Sequence, residues 1–120
     1  MRKFLTAAAV AGVVLYASAA SAYDMKGVGT AKCDVLVNAF TSAPQSEKLA
    51  FVTGIGQWAF GYMTGRNGEL PRNRRKDLAP LSSDDTAVFI LRQCGNYPNA
   101  FVYQIVDVIF DELPYNSPGA

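Results

Sequence analysis

The sequence predicts an all-α protein: a small four- to five-helix single domain, stapled by one disulfide and preceded by a cleaved signal peptide. Three observations predict it. Apolar residues recur at i, i+3, i+4 and i+7 in several separate stretches, the spacing that places them on one helical face. Pro and Gly divide these stretches, and Ser, Thr or Asp open them, as expected of helix stops and caps. Cys33 and Cys94, the only cysteines of the 120-residue chain, each fall on such a stripe.

The first 22 residues are read as an export signal and set aside from the fold. Arg2 and Lys3 supply the positive start, and residues 4–16 (FLTAAAVAGVVLY) form an apolar run too short for a comfortable bilayer span. Ala20-Ser21-Ala22 then places small residues at the cleavage position before Tyr23. An uncleaved anchor is the alternative. The signal directs the chain to the periplasm, where thiols are oxidised.

The domain proper spans residues 23–114, followed by a tail over 115–120 (YNSPGA) expected to be mobile. Thr30 is the expected cap of a first helix, with Cys33, Leu36, Val37 and Phe40 on its apolar face. A second helix is expected over 46–64. Its buried face would carry Leu49, Val52, Ile55, Ala59, Tyr62 and Met63, and Gly65 would end it. Gly54, Gly56 and Gly61 inside it imply either close packing of a neighbour or a kink, since each costs about 1 kcal/mol relative to Ala. Residues 66–81 form a polar, Pro-punctuated connection. Ser82, Ser83, Asp84 and Asp85 then cap a third helix with Ala87, Ile90, Leu91 and Cys94 on one face and Gly95 at its end. Asn96 or Tyr97 is the expected cap of a last helix with Pro98 near its start. Its apolar face is expected to carry Phe101, Ile105, Val108, Ile109 and Leu113.

On this reading Cys33 opens the first helix and Cys94 closes the third, so a disulfide would join them across the core. Free buried thiols are the alternative. A redox pair more often takes the C-x-x-C form, and a metal site needs more ligands.

Composition removes most catalytic chemistry. The chain has no His, which excludes Ser-His-Asp and Cys-His catalysis and imidazole metal sites. No catalytic, cofactor-binding or metal-ligating residue is assigned, and no enzyme activity is expected. Without Arg2 and Lys3, nine basic residues face ten acidic ones, a balance that gives no argument for nucleic acid. Gly54-Ile55-Gly56 lacks the preceding strand and following Gly-Lys-Ser/Thr of a phosphate loop. Asp84-Asp85 and Asp111-Glu112 are read as helix-end charges. Two constellations remain as contact candidates. Trp58, Phe60 and Tyr62 alternate, with Trp58 and Tyr62 on one helical face; they are read as a protein or homodimer contact, or as core. Arg66, Arg72, Arg74, Arg75 and Lys76 form a basic run, read as a patch for an anionic partner or as a solvated loop.

The chain resembles the HdeA/HdeB-type family of small periplasmic proteins. The resemblance is carried by Lys32-Cys33-Asp34-Val35-Leu36, by Gln57-Trp58-Ala59-Phe60-Gly61-Tyr62 with Gly65 and Asn67, and by Ile90-Leu91-Arg92-Gln93-Cys94 followed by Gly95-Asn96-Tyr97-Pro98. It implies a compact helical fold with one disulfide and acid-stress chaperoning, in which the protein loosens in strong acid and holds unfolded periplasmic proteins on apolar surface. The basic run after the second helix departs from that pattern. An immunity or other protein-binding module that neutralises a secreted toxin or envelope enzyme is the alternative, although such proteins usually carry more than two cysteines.

Overall fold

The computed structural model describes residues 27–116. The expected signal peptide of residues 1–22 and the end of the tail, 117–120, lie outside the described residues. Four helices are present: α1 (Cys33–Ser42), α2 (Lys48–Gly68), α3 (Ser83–Asn96) and α4 (Val102–Glu112). Single 3-10 turns at Val28–Thr30, Gln45–Glu47 and Arg72–Arg74 lie between or before them. No strand occurs among the described residues; two isolated antiparallel bridges, Lys32 with Phe101 and Lys76 with Tyr115, join loop segments.

The core follows from the helical stripes. Cys33 and Leu36 of α1 meet Ile55, Ala59 and Met63 of α2, Ala87, Ile90 and Cys94 of α3, and Val102, Ile105, Val106 and Phe110 of α4. Cys33 and Cys94 are bonded, fully buried, with Cα atoms 4.6 Å apart. The bond closes a sequence separation of 61 residues. Restricting the unfolded chain to that extent stabilises the fold by about 4 kcal/mol in the chain-entropy picture.

The start of α1 differs from expectation. Thr30 does not cap it; its hydroxyl donates to the Gly27 carbonyl at 2.9 Å inside the preceding turn. The cap comes instead from the segment before α4. Cys33 N–H donates to Ala100 O at 2.8 Å, and Asp34 N–H donates to Pro98 O at 3.0 Å. These are N–H groups that a helix start leaves unsatisfied. The exchange is reciprocal, because Val102 N–H donates to Ala31 O at 2.9 Å.

That exchange also explains why α4 begins later than its sequence suggests. Pro98 does not open it: the Pro98 and Ala100 carbonyls accept from the first N–H groups of α1, and the helix starts at Val102. Gln104 Oε1 accepts from Phe101 N–H at 2.9 Å and secures the entry. The buried face is consequently rotated from the expected one. Ile105 is buried, with Ile109 and Leu113 half-buried, but Val108 is 52% exposed and Phe101 also reaches solvent. Val102, Val106 and Phe110, absent from the expected face, are among the most buried side chains.

Helix α2 runs past Gly65 to Gly68. Gly65 does not cap it, because residues just beyond are held by tertiary partners. Asn67 pairs in both directions with the Lys76 peptide, donating from Nδ2 to Lys76 O and accepting from Lys76 N–H, each at 2.8 Å. At the other end Leu49 is 71% exposed rather than buried, whereas Ile55, Ala59 and Met63 lie in the core as the spacing predicts. Gly56 is the glycine that close packing requires. A Cβ there would overlap the hydroxyl and carbonyl oxygen of Ser83, while Gly54 and Gly61 face open space.

Helix α3 keeps its predicted cap: Ser82 Oγ accepts from Asp85 N–H at 3.1 Å, with Asp84 and Asp85 in the first turn where the helix dipole favours them. Gly95 does not stop it; the helix ends one residue later, at Asn96.

Candidate functional site

The candidate site lies where the second half of α2, the connection after it and the end of α4 meet. Tyr62 and Arg66 are one turn apart on α2, and Asp107 and Asp111 are one turn apart on α4, so each helix presents two polar groups in line. Tyr62 Oη donates to Asp107 Oδ1 at 2.9 Å, and Arg66 Nη1 donates to the same oxygen at 2.8 Å. Asp111 Oδ1 lies 3.8 Å from Arg66 Nη1. The guanidinium also sits over the Phe110 ring, 4.6 Å from its centroid. The Arg66 and Asp107 side chains are 35% and 33% exposed. An exposed pair contributes about 0–1 kcal/mol, and sharing one oxygen with Tyr62 places this pair toward the upper end.

Asp107 was not among the residues singled out by sequence. Its signal is visible in retrospect: it is the only charged residue in α4's VYQIVDVIF stretch. A lone charge on an otherwise apolar helix requires a partner when that helix packs.

The basic run separates into inner and outer residues. Arg75 Nε donates to Leu70 O at 3.1 Å and shapes the loop. Lys76 Nζ donates to Asp111 O at 2.9 Å and Leu113 O at 3.0 Å, answering carbonyls that the end of α4 leaves open. Arg74 lies outside, its guanidinium 5.7 Å from the Tyr115 ring centroid; Lys76 Nζ lies 4.6 Å from the same centroid. Arg72 is exposed in the short 3-10 turn. A cavity of about 410 Å³ opens here, walled by Arg66, Arg74, Lys76, Phe110, Asp111 and Tyr115 among others.

Tyr115, the first residue assigned to the mobile tail, forms part of this wall. Asp77 N–H donates to Pro114 O at 2.8 Å and Asn116 N–H donates to Arg75 O at 2.7 Å, so Tyr115 is held beside Lys76.

The aromatic candidates are also integrated into the fold. Trp58 and Tyr62 share a face, as their spacing predicts, and stack with centroids 5.0 Å apart and planes 14° apart. The 27–29 turn lies directly against the indole. Gly27 has φ +92°, and a Cβ there would stand 2.9 Å from the ring; a Cβ on Gly29 would overlap it. Phe60 is half-buried against the core. Exposed apolar surface is found elsewhere, at Val35, Leu49, Val88, Phe89 and Val108. Phe89 and Val108 flank a groove of about 390 Å³ between α3 and α4, floored by Leu81, Ile109 and Leu113.

Among the described residues no group of three His, Cys, Asp or Glu side chains gathers as a metal site, and no helix is long and apolar enough to cross a membrane. The disulfide fits an exported protein. Comparison of the chain with protein-family models, with curated proteins and with solved structures finds no match in any of the three.

Proposed function

We propose that the chain is an exported, non-enzymatic periplasmic protein of the HdeA/HdeB type that holds unfolded clients in strong acid. The observation that carries this reading is the attachment of α4. Asp107 is its hydrogen-bonded ionic link to α2, on a helix whose other face covers the core with Val102, Ile105, Val106 and Phe110. In strong acid, carboxylates as a class are neutral at about pH 2–3 while Lys and Arg stay charged. The chain then carries positive charge without compensation, and self-repulsion favours expansion. Loosening α4 would add its apolar face to the surface already exposed at Phe89 and Val108, while the buried disulfide limits the expansion.

The test is suppression of aggregation of an acid-labile client. The protein, expressed from its full sequence and recovered after export, should keep such a client in solution at about pH 2–3 and not at neutral pH. Absence of protection at a molar excess sinks the reading, and tight binding of one specific protein at neutral pH would favour the toxin-neutralising alternative. Amino-terminal sequencing of the exported protein should begin at Tyr23.

A further inference from the structure

We propose that the cavity between the end of α2, the 69–76 loop and the end of α4 is an anion site that takes a phosphate-ester group. Its wall carries three cations, Arg66, Arg74 and Lys76, against one carboxylate, Asp111. Arg66 is balanced by Asp107. Among the described residues the other two form no ion pair: Lys76 is bonded to neutral carbonyls of α4, and Arg74 lies against the Tyr115 ring.

Donors also remain. A lysine ammonium has three, and two are bound to Asp111 O and Leu113 O. An arginine has five in a planar fork suited to phosphate oxygens. The apolar part of the wall, including Phe110 and Tyr115, gives the non-ionic part of an ester a surface to cover. The volume of about 410 Å³ is within the range of small-ligand pockets. The wall is fixed in place, because Tyr115 is bridged to Lys76 and Asn67 pairs with the Lys76 peptide.

Phosphate esters can reach an exported protein either as soluble molecules or as lipid headgroups. The experiment therefore has two arms at neutral pH: glycerol phosphate in free solution, and vesicles of phosphatidylglycerol in phosphatidylcholine. Saturable binding should appear in at least one arm. Arg74→Gln should weaken it about tenfold, the loss of one charge-assisted hydrogen bond. Asp111→Asn should tighten it a few-fold, because the carboxylate in the wall repels the ligand; a residue with a purely structural role gives no such gain. Arg92→Gln, which removes a cation on α3 outside the cavity, should leave it unchanged. Near-ultraviolet circular dichroism checks that each variant keeps its packing. Binding in solution with this mutant pattern identifies a soluble ester, and the same pattern on vesicles alone identifies a headgroup. No binding in either arm, or equal weakening by Arg74→Gln and Arg92→Gln, overturns the proposal. Client protection in acid is a separate readout, so this site and the chaperone reading can fail independently.

Discussion

The two ends of α4 are held by different kinds of interaction. At its start, Val102 is fully buried, its N–H donates to Ala31 O, and the neighbouring carbonyls of Pro98 and Ala100 cap α1 beside the buried disulfide. These bonds are covalent or run between backbone groups. Toward its end, Asp107 and Asp111 face Arg66, and Lys76 binds the last carbonyls, with the ionic side chains about one-third exposed or more. Salt screens the second set and leaves backbone and covalent bonds of the first almost untouched. The contrast teaches that a single small domain can have one end whose stability is set by covalent and backbone bonds and another whose stability is set by solution conditions.

Removing the first end's advantage should give the largest effect. Cys33→Ser with Cys94→Ser is expected to lose about 4 kcal/mol, a large part of the 5–15 kcal/mol typical of a small domain. Urea denaturation followed by circular dichroism measures it. The comparison breaks if the loss is under about 1 kcal/mol, which would mean that the backbone exchange alone holds this end. If the protein does protect clients in acid, the same variant should expand further at low pH, seen as a larger hydrodynamic radius, and protect less well.

A contact belonging to neither end comes next. Gly56→Ala forces a methyl group onto the Ser83 peptide, and backbone cannot step aside as a flexible side chain does. The α2–α3 interface must open, at about 1–3 kcal/mol by the usual scale for overpacking. Thermal denaturation should show the fall without any change in its pH dependence. A pH-dependent fall would mean that the ionic end relies on this interface too.

The ionic end itself is expected to contribute least. Asp107→Asn retains the shape and an acceptor for Tyr62 but removes the charge opposite Arg66. A cost of about 1 kcal/mol is expected at neutral pH. The lost interaction is an ion pair about one-third exposed, so added salt should narrow the gap between variant and parent. Denaturation curves at low and high salt measure it. A variant as stable as its parent at low salt would mean that this link does not hold the end of α4.

These regions were not equally legible in the sequence. The disulfide end could be read from Cys33, Leu36, Ile90 and Cys94, because burial on a helix leaves a periodic trace and the export signal expected from the sequence implies an oxidising setting. The ionic end could not. It depends on Asp107 meeting Tyr62, 45 positions away, and on Asn67 pairing with Lys76, contacts that set where α2 stops and which face α4 buries. Gly65 carries a strong local stop signal, yet tertiary partners at Arg66 and Asn67 carry the helix beyond it. The misplaced start of α4 has the same cause, since the carbonyls before it are engaged by α1. Periodicity identified the helices, but their ends are decided by partners distant in sequence.

The smallest expected effect gives the finest test of where acid acts. Gly54 and Gly61 both lie inside α2 with open space around the position of a Cβ, so alanine at either should gain about 0.5–1 kcal/mol through helix propensity and a less flexible unfolded chain. The two gains should be equal at neutral pH. They should separate in acid, because Gly61 adjoins Tyr62 and the ionic end, whereas Gly54 lies two turns earlier. If loosening begins around Arg66 and Asp107, the second half of α2 frays, and Gly61→Ala loses its gain at about pH 3 while Gly54→Ala keeps it. Denaturation of both variants at the two pH values measures the difference. Equal persistence of both gains would show that α2 stays intact and that α4 leaves it as a unit; equal loss would show that acid melts the helix as a whole and would dissolve the distinction between the ends.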